Sequence, residues 1–166
     1  MKIFTTLLFF WSVSIAAQTT VSLTPTGFSP NPVTENIPLM SNEKFMDITR
    51  LWIEEFTRGT GTVSELTTNS LTLDAYRDNA FYITNLGETF YYKVRYQLKI
   101  AKEGNTYSAT FNVTQIQNTR SVLESSITNY FLPDGTMKEG FEEVKPSMEK
   151  TANIILGSYY RYINRN

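Results

Sequence analysis

Residues 88–117 read ETFYYKVRYQLKIAKEGNTYSATFNVTQIQ, two alternating runs joined by a turn. In the first run Phe90, Tyr92, Val94, Tyr96, Leu98 and Ile100 share one side of the alternation. Tyr91, Lys93, Arg95, Gln97 and Lys99 share the other. In the second, Tyr107, Ala109, Phe111 and Val113 alternate with Ser108, Thr110, Asn112 and Thr114. A period of two with β-branched and aromatic residues on one side predicts two strands of a sheet with one buried face. Gly104 supplies the positive φ of a tight hairpin, with Glu103-Gly104 or Gly104-Asn105 at its apex. These choices differ by two residues of register, so both leave every side chain on the same face.

Outward from this hairpin, two segments have helical spacing. Phe45, Ile48, Trp52 and Phe56 recur every three or four residues, flanked by Leu51 and Ile53, after a cap at Ser41 or Asn42 and before Gly59 and Gly61. From Glu139 onward Met148, Ala152, Ile155, Tyr159 and Tyr162 form a second stripe, with Pro146 in the first turn and Arg161 and Arg165 near the C-terminal end. Short strands are predicted at 35–39, 63–66, 71–75 and 80–86; residues 119–132 read as a polar connection and Pro133-Asp134-Gly135 as a turn. Each helix has one apolar stripe and the hairpin one apolar face. The fold class that satisfies all three is α+β, a two-layer domain with an antiparallel β-sheet and two helices on one face, in the order β-α-β-β-β-β-α.

The ends of the chain add a domain plan. Met1-Lys2 precedes the apolar run from Ile3 to Ala17, with Ala16 and Ala17 as small residues at a cleavage site. This reads as a signal peptide over residues 1–17, since about 15 apolar residues are short for a membrane span of about 20. No stable membrane span is then expected after cleavage. Residues 18–34, with Pro25, Pro30 and Pro32, read as an extended N-terminal arm, and 35–166 as a single α+β domain. With no cysteine in the chain, lipobox acylation and disulfides are excluded. The expected location is the periplasm or the extracellular space.

Composition narrows the chemistry. There is no histidine and no cysteine, which removes the usual general base near neutral pH, the thiol nucleophile and the commonest zinc ligands. The whole chain has 15 basic and 16 acidic residues; without Lys2 of the leader the balance is 14 to 16. A slightly acidic chain lacks the basic surface that nucleic-acid binding needs.

The segment NIPLMSNEKFMDITRLWIEEF with its central Trp52-Ile53 pair, the YYKVRYQLKIAKEGNTYSATFNVTQI hairpin, and the tail YFLPDGTMKEGFEEVKPSME carry a family resemblance. From Asn36 to Ile163 the chain resembles a family of exported Gram-negative bacterial domains of unknown function with a TATA-box-binding-protein-like (TBP-like) fold. The Lys-Tyr-Arg that often follows the hairpin glycine in such domains is absent. The resemblance implies the fold; it carries no activity.

Candidate reactive groups reduce to structural ones. Ser41 to Lys44 and Ser147 to Lys150 match S-x-x-K, but without its companion motifs, and both serines sit at helix starts where they cap. Glu54-Glu55 and Glu142-Glu143 are adjacent on helices and diverge by about 100°. Asp134-Gly135 lacks the spaced oxygens of a calcium loop. The chain therefore reads as a non-enzyme with no catalytic residues, no metal site and no cofactor. Two binding surfaces are expected instead. One is the polar sheet face with Tyr91, Lys93, Arg95 and Lys99, suited to another exported protein or an acidic surface, and not to nucleic acid. The alternative is a pocket for a small amphipathic ligand between the sheet and the C-terminal helix, lined by Tyr92, Tyr96, Tyr159 and Tyr162.

Overall fold

A computed structural model describes residues 18–118, 122–123 and 126–166; the expected leader at 1–17 lies outside the described residues. The elements are β1 (Ser22–Thr24), β2 (Gly27–Ser29), β3 (Val33–Asn36), α1 (Asn42–Thr57), β4 (Thr62–Ser64), β5 (Ser70–Asn85), β6 (Glu88–Glu103), β7 (Thr106–Gln117), β8 (Val122–Leu123) and α2 (Val144–Arg165), with a 3-10 turn at Ile127–Tyr130. The main sheet is antiparallel in the order β3-β7-β6-β5-β4, with the two-residue β8 also paired to β7. Both helices cover one face of it, so the expected two-layer α+β fold is the observed one.

The quoted hairpin is β6 and β7. Glu103 pairs with Thr106, so the turn is Gly104-Asn105, with Gly104 at φ 58. Val94, Tyr96, Leu98 and Ile100 are buried together with Tyr107, Ala109 and Phe111 of β7. The alternation is not carried unbroken along either partner of β6. Arg95 pairs with Gln115 but Tyr96 with Val113, so Thr114 is extra and the inward phase passes to Ile116. On the other side Arg77 pairs with Val94 and Phe81 with Tyr92, which leaves three residues to bulge, with Asn79 at φ 50. The two bulges flank β6 at one level, where they add twist and bend the sheet. Arg77-Asp78-Asn79, which resembles a turn in sequence, runs into this bulge at 78–80 within a single 16-residue strand. Its buried Ala80 accepts a hydrogen bond from Thr151 of α2 at 2.6 Å.

Ser41 caps α1 by accepting from the Lys44 amide at 3.1 Å, and Phe45, Ile48, Trp52 and Ile53 are buried as the spacing requires. Arg58, not a glycine, takes the left-handed cap at φ 54, and the Gly59 amide closes the end on the Glu54 carbonyl. The second helix begins at Val144, later than the Glu139 start expected from its stripe. Gly140 at φ 81 turns the chain there, and the Glu142 carboxylate accepts from the Gly140 amide at 3.0 Å.

The expected extended arm at 18–34 is instead built into the domain. β1 and β2 form a hairpin whose Leu23 and Phe28 are buried. The backbone of the first arm is held by side chains of α2. Asn153 bonds both the amide and the carbonyl of Val21 at 2.9 Å, and Glu149 accepts from the Leu23 amide at 2.7 Å. Asn31 does the same toward the sheet, bonding the Phe111 carbonyl at 3.0 Å and its amide at 2.9 Å. Short polar strands that cannot satisfy their backbone within one hairpin are thereby completed by side-chain amides and a carboxylate. The first strand of the main sheet is Val33–Asn36, before Pro38, which lies outside it.

Candidate functional site

The sheet order leaves the distal part of the β5–β6 hairpin standing out from the rest. β7 pairs β6 only as far as Lys93, and β4 covers only Thr72 to Asp74 of β5. Beyond that, Phe81–Tyr92, Tyr82–Tyr91 and Ile83–Phe90 are matched across a two-stranded ribbon. Phe81 and Tyr92 stack at 4.8 Å where the ribbon leaves the core. Tyr82 donates to Glu143 at 2.9 Å and so ties the ribbon to the start of α2; the carboxylate raises the phenol above its ordinary value.

At the apex Leu86 and Gly87 take φ 50 and 82, the left-handed pair that a two-residue turn requires. Gly, Asn and Asp are the usual occupants, because a Cβ is disfavoured there. Leu86 is left-handed and 98% exposed. Phe90 at 45% and Tyr91 at 54% are exposed just behind it, on opposite faces of the ribbon. Against the inner face, Ile83, Phe90 and Tyr92 meet Glu139, Gly140 and Phe141 around an open cleft of about 520 Å³. Alternation places Phe90 inward in sequence, but the helices end short of it, so its face stays in contact with solvent.

The predicted polar face is where the sequence placed it, but its cations have partners. Lys93 pairs with Asp78 at 3.2 Å, Arg95 with Asp74 at 2.7 Å and Lys99 with Glu65 at 3.5 Å. The Tyr76 ring lies under Lys93 and Arg95, with centroids at 4.7 and 5.9 Å. A hydrogen bond from Thr72, then Lys99, holds the Glu65 carboxyl below its usual value. The carboxylates come from β5 and the loop before it. Reading their register would have required the pairing of β5 with β6.

The four tyrosines of the alternative pocket are not brought together. Tyr159 is fully buried against Trp52 at 5.0 Å and Tyr107 at 4.9 Å, and its hydroxyl lies 2.8 Å from Thr49. Tyr96 is buried against Phe111, Tyr92 lines the distal cleft, and Tyr162 donates to Glu55 at 3.0 Å on the surface. Helix and sheet close on each other around Tyr159 through aromatic packing. Leu86, Phe141 and the Tyr82–Glu143 contact were missed in sequence; the signal available was an apolar residue directly before Gly87.

No known family profile matches the chain, and no curated protein matches its sequence. Solved structures do. A DUF4468 family protein from Bacteroides ovatus superposes with a TM-score of 0.61 at 10% identity, over 80% of this chain and 86% of its own. A TBP-like protein from Parabacteroides distasonis superposes with a TM-score of 0.59 at 8% identity, over 78% and 88%. At such identities the likeness speaks for the fold alone. This chain has a TBP-like fold, shared with domains of unknown function.

Proposed function

We propose that the chain is an exported, non-catalytic binding module that contacts another exported protein through the distal β5–β6 ribbon. The observation that carries this is Leu86, an apolar side chain 98% exposed on left-handed backbone at the apex of a ribbon with further exposed aromatics. Strained backbone and exposed apolar surface are each unfavourable to the isolated domain, and they coincide where contact with a partner would offset both. Export rests on the leader sequence at 1–17. Among the described residues no helix is long and apolar enough to cross a membrane.

The polar face contributes Tyr91 to this surface. Its cations already face carboxylates of the same chain, so an acidic partner would have to displace those. Capture from the exported fraction of the source organism separates the two surfaces. Leu86→Asp with Phe90→Ser is expected to reduce capture at least tenfold while Arg95→Glu stays within about twofold of wild type. Thermal melts of both variants check the fold. Loss of capture with Arg95→Glu and retention with the ribbon variant would transfer the site to the polar face.

A further inference from the structure

A second cleft, of about 390 Å³, opens where the end of α1 meets the edge of β5 that β4 leaves uncovered. Phe56, Thr60, Tyr76 and Tyr96 wall it, and Arg58 and Arg77 both line it. Neither guanidinium has an ion-pair or hydrogen-bond partner among the described residues. Asp78 also lines the cleft, and its carboxylate is paired with Lys93 at 3.2 Å. In contrast to Lys93, Arg95 and Lys99, each matched to a carboxylate, the two arginines bring unpaired positive charge to one cleft.

Two further observations point into the same space. Tyr96 is 1% exposed, its hydroxyl has no hydrogen-bond partner among the described residues, and the residue lines the cleft. A phenol is a ready donor to an anion. Arg58 also holds left-handed backbone at φ 54, a position that favours Gly or Asn. We infer that the cleft binds an oxyanion, a carboxylate or phosphate group, between the Arg58 and Arg77 guanidiniums with the Tyr96 hydroxyl as a third donor. The rings of Phe56 and Tyr76 would flank the body that carries the anion. Planar guanidinium forks match carboxylate and phosphate oxygens in pairs, which suits either group. This site is separate from the distal ribbon and does not depend on it.

Trp52 supplies the reporter. It stacks on Phe56 at 5.0 Å, and it is the sole tryptophan outside residues 1–17. Titration of the protein with inorganic phosphate, phenyl phosphate, benzoate and benzylamine, followed by Trp52 fluorescence and calorimetry, tests the assignment. Saturable binding is expected for at least one of the three anions and not for benzylamine. The ranking of the anions tells carboxylate from phosphate and a free ion from one carried on a ring. Arg77→Gln and Arg58→Asn should each weaken it about tenfold or more, and Tyr96→Phe by a smaller factor. Arg58→Asn keeps a residue suited to the left-handed cap, and Lys44→Gln, exposed at the opposite end of α1, should leave binding unchanged. The assignment is overturned if no anion binds, if benzylamine binds equally well, or if binding survives both arginine substitutions.

Discussion

Tyr159→Ala is expected to lower the unfolding free energy by about 3–5 kcal/mol, as for other large aromatic truncations in a core. The ring is 0% exposed and touches Trp52 and Tyr107 edge-on, so it joins α1, α2 and β7 at one point. Such pairs add about 0.5–1.5 kcal/mol each beyond the area they bury. Domains of this kind are stable by roughly 5–15 kcal/mol, so the loss is a large share of the total. Tyr159→Phe should cost only about 1 kcal/mol. Thr49 already donates to the Phe45 carbonyl at 2.7 Å, so the phenol is the donor in its bond to Thr49, and removing it strands no buried donor. Urea denaturation of the two variants checks both values. If Tyr159→Ala were as mild as Tyr159→Phe, the ring would be lining space and not filling it.

High pH should unfold the domain cooperatively. Burial pushes the Tyr96 phenol up to about 12 from its ordinary 10. Burial first, then nearby Tyr159 and Glu35, raises Tyr107 further, and burial also raises Tyr159. A phenol raised in the fold is neutral there and ionises more easily once unfolded. Its contribution is therefore complete below the unfolded value near 10 and is lost as pH climbs through the folded value. For Tyr96 this amounts to about 2–3 kcal/mol, with Tyr107 and Tyr159 adding in the same direction. The chain has ten tyrosines. Tyrosinate absorbance and circular dichroism, followed together as pH rises, check this. Tyr96, Tyr107 and Tyr159 should ionise only as dichroism is lost. Titration of all ten in one step without loss of structure would contradict the packing.

The central hairpin and both helices are legible because each carries an apolar period over most of its length, interrupted in the hairpin only at Thr114. What escaped the sequence depends on partners far along the chain. The N-terminal hairpin is polar and rich in proline, and the groups that complete its backbone are Asn153 and Glu149, more than 120 residues away. The segment 77–79 that enters the bulge has the composition of a turn, and only pairing of β5 along all of β6 shows that the strand continues. The basic row was placed on the correct face, yet its neutralisation by Asp74, Asp78 and Glu65 follows from cross-strand register, which alternation does not contain. Tyr92, Tyr96, Tyr159 and Tyr162 all fall on apolar stripes, but a stripe does not say whether facing rings leave a gap or fill it.

The central claim is that the exposed apex of the β5–β6 ribbon is a contact surface, and site-specific photo-crosslinking tests it most directly. A photoreactive residue replaces Leu86 in one protein and Thr34, exposed on the distant edge strand β3, in another. Both are exposed to the exported fraction and irradiated. The expected result is one discrete cross-linked protein from position 86 and none from position 34. Equal cross-linking from both positions, or none from position 86, would contradict the assignment.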